Sequence, residues 1–176
     1  MMSSKVAKRY AQALFDFAKE KGALDDIAQE IKDLGTCLSS SVELRNFVRD
    51  PVLTQDEKKQ IISKLFESKI NDFVFNFLLF LVAKRRLNTI NEICEAFDRL
   101  YLDYKNIAEI QITSAFPIDQ TQVDAICHKL RDHFHKEVHS QVSTDPSLIG
   151  GIKVKTPQMT YDFTFKTQLE KFRQSL

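Results

Sequence analysis

Apolar residues recur at helical spacing through the first hundred positions. Val6, Ala7, Tyr10, Leu14, Phe17 and Ala18 step by three and four, which predicts a helix capped by Ser4, running to about Lys21 and ended by Gly22. With Ala11, Ala13 and Phe15 added, the apolar arc covers roughly 200°, about twice what one core face needs. A second, plainly amphipathic helix over 23–38 places Leu24, Ile27, Ile31, Leu34 and Leu38 on one side and Asp25, Asp26, Glu30 and Lys32 on the other. Ser41 opens a short third helix that Asp50-Pro51 halts, because proline restrains its predecessor and has no amide to donate. Thr54 and Glu57 form a capping box for a fourth helix through Phe66. Asn71 or Asp72 starts a fifth, apolar nearly all round from Phe73 to Ala83 and closed by Lys84-Arg85-Arg86. A second box, Thr89 with Glu92, predicts a sixth helix carrying Ile90, Ile93, Phe97, Leu100 and Tyr104.

After Asn106 the period drops to two. Ile110 and Ile112 alternate with Glu109, Gln111 and Thr113 as a half-buried strand does, and Phe116-Pro117 ends that strand. Asp119 with Gln122 then starts a helix whose core stripe is Val123, Ile126, Cys127, Leu130 and Phe134. Strand alternation returns over 138–144 and 152–155, and a final helix from near Asp162 or Thr164 carries Leu169, Phe172 and Leu176. The fold class is therefore mainly α with a small α+β part: a six-helix bundle over 1–105 and an α+β domain over 106–176.

Composition narrows the function. The chain is 43% hydrophobic and 28% charged, which suits a folded protein, and its 14 Phe with no Trp put the apolar surface into rings without a polar handle. Lys and Arg nearly balance Asp and Glu, 25 against 24, which argues against a helical nucleic-acid-binding regulator, since such a protein needs a basic excess to neutralise phosphates. Cys37, Cys94 and Cys127 are odd in number and show no CxxC spacing, as expected of buried thiols in a reducing compartment. The N-terminus lacks a signal-peptide core, and the run from Phe73 to Ala83 is half the roughly 20 residues a spanning helix requires. Both point to a cytoplasmic protein that does not cross a membrane.

Candidate chemistry is sparse. Only four glycines are present, and Gly150-Gly151 leads into a strand-like segment rather than the GK[ST] and helix of a phosphate loop, so the pair reads as a turn. His128, Asp132, His135 and His139 step by four, three and four, the spacing of a metal-dependent sensor, but they lie opposite the core stripe of their helix and read as a solvated face. Cys127 and His128 diverge by about 100° and cannot act as nucleophile and base. No cofactor, metal or catalytic residue is expected. What remains is surplus apolar surface on the first and fifth helices, suited to receiving a partner's amphipathic helix.

The run Asp145-Pro146-Ser147-Leu148-Ile149-Gly150-Gly151, continuing through Lys155, resembles the C-terminal signature of the delta subunit family of F-type ATP synthases, which includes the mitochondrial oligomycin-sensitivity-conferring protein. Arg9 to Phe15 is similar to that family's first helix, and Thr113 to Ile118 to its strand and turn between domains. The resemblance covers essentially the whole chain. It implies a non-catalytic stator subunit of the proton-translocating synthase, peripheral on the cytoplasmic face of the bacterial membrane. Its N-terminal domain would bind the N-terminal helix of subunit alpha between helices one and five, and its C-terminal domain would bind the C-terminal region of subunit b. Carried to this sequence, the groove would use Tyr10, Ala13, Leu14 and Phe17 with Phe73, Phe77 and Phe80. The sequence departs from the family at Thr156-Pro157-Gln158-Met159-Thr160, in place of a glycine-containing acidic turn, and at Phe163, in place of a small residue.

Overall fold

The computed structural model describes residues 4–156 and 159–174, with the side chains of residues 170–172 and 174 excepted. The chain divides into two compact units, Met1–Tyr101 and Leu102–Leu176. In the first, helices α1 (Lys5–Glu20), α2 (Leu24–Ser40), α3 (Val42–Arg49), α4 (Gln55–Phe66) and α5 (Asp72–Ala83) are followed by a 3-10 turn at Leu87–Thr89 and by α6 (Ile90–Tyr104). Local chemistry sets most of these ends. The Ser4 hydroxyl accepts from the Ala7 amide at 3.2 Å and Ser41 caps α3 through the Leu44 amide. Thr54 and Glu57 exchange backbone and side-chain bonds at 2.8 and 3.3 Å, forming the expected box at α4.

The box expected at Thr89 and Glu92 does not form. The preceding turn is already helical, so the Thr89 hydroxyl donates back to the Arg86 carbonyl at 2.7 Å. Glu92 instead accepts the Ser4 amide at 3.0 Å, tying α6 to the start of α1. Glu30 does the equivalent for α5, its two carboxylate oxygens accepting the Asn71 amide at 3.0 and 3.2 Å. Both orphan N-terminal donors are thereby satisfied by carboxylates placed where the helix dipole favours negative charge.

The core of this unit takes Ala7, Ala11, Leu14, Phe15 and Ala18 from α1, the stripe from Leu24 to Leu38 of α2, Val74, Leu78, Leu81 and Val82 from α5, and Ile90, Ile93, Cys94 and Phe97 from α6. Phe15 meets Phe97 edge to face at 6.0 Å. Cys37 is exposed, contrary to expectation, because it lies about 100° round α2 from Leu38. Cys94 and Cys127 are buried, and burial pushes the Cys94 thiol up to about 12.

The second unit contains β1 (Ile107–Ser114), α7 (Gln120–Phe134), β2 (Glu137–Thr144), a 3-10 turn at Pro146–Leu148, β3 (Ile152–Lys155), β4 (Thr160–Asp162) and α8 (Phe165–Gln174). The sheet order is β2-β1-β3-β4. β1 and β2 are parallel over Ile107↔Glu137 to Ser114↔Thr144, and α7 supplies the crossover that parallel neighbours require. β3 and β4 add antiparallel. Ala108, Ile110 and Ile112 pack with Val123 and Cys127 of α7, Val138 and Val154. β4 has only three residues, too few for alternation to show in the sequence, and the last helix starts after it, at Phe165. Thr156 and Met159 close the β3–β4 hairpin, the Thr156 amide donating to the Met159 carbonyl at 2.8 Å. Pro157, Gln158 and Leu176, with the Phe172 side chain, lie outside the described residues.

Candidate functional site

The surplus apolar arc of α1 resolves into two faces. Ala7, Ala11, Leu14, Phe15 and Ala18 point into the core, while Val6, Tyr10, Ala13 and Phe17 line the outside of the helix. α5 divides likewise, with Val74, Leu78, Leu81 and Val82 inward and Phe73, Phe77 and Phe80 toward α1. A helix apolar on two sides must be covered on two sides, and here only one side is covered by its own unit.

The uncovered faces meet in one groove of about 590 Å³. All seven residues expected there line it: Tyr10, Ala13, Leu14 and Phe17 from α1, with Phe73, Phe77 and Phe80 from α5. Val6, Arg9 and Arg86 complete the lining and were not foreseen. The helical step from Val6 to Tyr10, Ala13 and Phe17 could have flagged Val6. Nothing in the sequence brings Arg86 near Arg9. Phe17 and Phe73 stack at 4.1 Å with an interplanar angle of 1°, and Tyr10 meets Phe80 edge to face at 6.1 Å. Phe17 is 37% and Phe80 44% exposed, whereas Leu14 is 2% exposed. Leu14 is thus the groove floor and belongs to the core, and the accessible contacts are the rings.

A second cleft of about 580 Å³ lies where the α3–α4 connection faces the α5 C-terminus, lined by Arg49, Asp50, Val52, Lys58, Arg85 and Asn88 among others. It lacks the paired aromatic walls of the α1–α5 groove, and Lys58 is engaged by the Asp50 carbonyl at 2.6 Å.

In the second unit the segment Asp145–Gly151 is a junction. Asp145 accepts the Ser147 amide at 3.0 Å, which begins the 3-10 turn with Pro146 at its start, and Leu148 ends it. Ile149 has φ 66° and its side chain is exposed. Gly150 and Gly151 allow the chain to pass against the start of α8. A Cβ on Gly150 would lie 2.4 Å from the Phe165 ring, and one on Gly151, whose φ is +82°, would lie 2.2 Å from the Phe163 carbonyl oxygen. The Phe165 amide donates to the Gly150 carbonyl at 3.0 Å and the Asp145 amide to that of Ser114 at 2.8 Å. Gly150 therefore leaves room for the Phe165 ring, and Gly151 for the backbone of Phe163 and Thr164.

Asp162 caps the same junction. Its carboxylate accepts the Thr164 hydroxyl at 2.7 Å and the Thr164 amide at 3.0 Å, and these bonds hold it below the usual carboxylate range. The folded value lies below the unfolded one, so this support is complete above about pH 5 and is lost as the pH falls through the folded value. Urea unfolding of wild type and Asp162→Asn should therefore differ at pH 7, the variant being less stable, and the difference should shrink as the pH falls through the folded value of Asp162.

The histidine stripe does not assemble. His128 pairs with Asp132 at 3.2 Å on the exposed face of α7. α7 ends at Phe134, so His135 is a left-handed cap with φ 52°, and His139 is carried off on β2 opposite Glu109. Among the described residues no group of three or more His, Cys, Asp or Glu is placed to hold a metal ion, and no helix is long and apolar enough to cross a membrane. Cys127 is buried under α7 while its neighbour His128 is exposed.

Fold and groove together define a mainly helical, two-unit protein with an open aromatic groove on its first unit. Residues 6–176 match the family model described as the ATP synthase delta (OSCP) subunit. The ATP synthase subunit delta of Trichlorobacter lovleyi is 36% identical over 177 residues, covering 100% of this chain and 98% of that one, and the Desulfitobacterium hafniense subunit delta is 34% identical with the same coverage. A chain in the cryo-EM structure of the Toxoplasma gondii mitochondrial ATP synthase hexamer has the same fold, with a TM-score of 0.77 over 98% of this chain and 97% of that one, at 23% identity. The chain belongs to the ATP synthase delta (OSCP) subunit family. That family consists of structural rather than catalytic subunits, which link the catalytic head of the synthase to its peripheral stalk.

Proposed function

We propose that this chain performs the linking role by holding the N-terminal helix of subunit alpha in the α1–α5 groove and the C-terminal region of subunit b on its second unit. The observation that carries the reading is the groove, where two helices of one small unit leave adjacent aromatic faces uncovered and open to water. From Val6 to Phe17 the wall runs roughly 16 Å, about three turns of a docked helix. Burying the exposed rings against an amphipathic partner supplies affinity at roughly 25 cal/mol per Å² of apolar surface, reduced by the entropy cost of association. On the second unit, Phe163, Phe165 and Leu169 are more than half exposed, which suits an apolar contact with the stalk. As a stator the protein must resist rotor torque, so stiffness and tight contacts matter and no nucleotide site is needed. It would sit at the cytoplasmic face of the membrane, held there through the complex.

Titrating the full chain with a synthetic peptide of the first ~20 residues of its own alpha subunit, about 30 Å as a helix, tests the groove. Saturable binding is expected, with protection of amides in Phe73–Phe80. Phe80→Asp, at an accessible ring, should weaken binding by at least about tenfold, or 1.4 kcal/mol, while the chain still unfolds cooperatively on heating. No binding by the wild type would remove the groove assignment.

A further inference from the structure

The groove has a direction. Tyr10 meets Phe80 and Phe17 meets Phe73, so α1 and α5 run antiparallel along it, and each end is closed by an aromatic pair. Such similar apolar ends give a docked helix little reason to prefer one orientation over its reverse. Charge distinguishes them. Arg9 lies beside Tyr10, Arg86 follows the α5 C-terminus, and the Lys84 ammonium sits 5.7 Å from the Phe80 ring centre, so Arg9, Lys84 and Arg86 gather at the Tyr10–Phe80 end. At the Phe17–Phe73 end no cation lines the groove, and the Lys21 ammonium sits 5.5 Å from the Phe17 ring centre. No carboxylate lines the groove, and neither Arg9 nor Arg86 is paired with one among the described residues. A cation at the edge of an apolar trough is only partly hydrated once the trough is filled, which strengthens its demand for an opposite charge.

We infer that the helix held in this groove presents carboxylate side chains to Arg9 and Arg86 at the Tyr10–Phe80 end, and that this charge contact sets the direction in which it lies. The inference rests on the docking reading above and adds to it the polarity of the partner. Aromatic burial supplies affinity while the arginines select orientation, the division of labour also seen where flanking charges set the orientation of paired helices.

The test uses the full chain, the alpha-subunit peptide already described, and a second peptide with its Asp and Glu changed to Asn and Gln. Arg9→Gln and Arg86→Gln should each weaken binding of the first peptide by about two- to fivefold, should reduce its salt dependence, and should leave binding of the neutral peptide unchanged. A nitroxide beside the peptide's carboxylates should broaden amide signals around Arg9 and Arg86 rather than around Phe17. Equal binding of wild type and both arginine variants, while Phe80→Asp still blocks it, would overturn the polarity and leave docking intact. Broadening at the Phe17 end, or an alpha segment lacking carboxylates, would do the same. Failure of the wild type to bind either peptide would overturn docking and polarity together.

Discussion

Gly151→Ala is expected to destabilise the second unit by about 2–4 kcal/mol. Two costs combine. At φ +82° a side chain is strained in any surroundings, and the new Cβ would lie 2.2 Å from the Phe163 carbonyl oxygen and 3.0 Å from the Thr164 Cα. Both are backbone atoms, so no side chain can swing aside, and relief requires moving the β4–α8 connection. Gly22→Ala is the internal control. Its φ is +68° but nothing lies within 4 Å of the added Cβ, so the loss should be near 1 kcal/mol, the strain alone. Hydrogen exchange would localise the effect, with amides of β1 and β3 losing protection in Gly151→Ala while those of α1 and α5 keep it. Equal losses for the two glycines would show that the close approach contributes nothing.

Leu14→Asp is expected to unfold the first unit rather than to inhibit docking selectively. Leu14 is 2% exposed and packed in the main core, and placing an unpaired carboxylate there costs about 3–5 kcal/mol or more, a large part of the stability of a domain this size. Phe80→Asp, 44% exposed on the same groove, should fold normally and lose partner binding. Circular dichroism melts and peptide titrations on the two variants separate the roles. A folded Leu14→Asp with impaired binding would mean that Leu14 is a contact residue and that the packing described for α1 is wrong.

Much of this protein is legible in its pattern. Ser4, Thr54 and Asn71 are caps because each side chain can reach a free amide of the turn that follows, and such contacts are local. The double apolar face of α1 is also visible, since a helical wheel needs only residue spacing. Which arc faces inward is not, because Leu14 and Phe17 are equally apolar and three residues apart. Some missed features have partners that lie far away in sequence. Glu92 and Thr89 have the spacing of a capping box, yet Glu92 bonds Ser4, 88 positions earlier. The histidines, read from the sequence as a solvated face, keep helical spacing only while the helix lasts, and α7 stops at Phe134.

By itself the sequence determined the helices and most of their caps, the change of period at Asn106, and, through its Asp145–Gly151 run, the family. These depend on neighbours within a few residues or on motif identity. The tertiary structure decided which face of α1 and α5 is core, brought Arg86 to the same end of the groove as Arg9, and gave Gly150 and Gly151 their reason in the passage of Phe163 to Phe165 across them. Each of those is a contact between distant segments, set by how the helices and strands pack against one another, and periodicity carries no record of it.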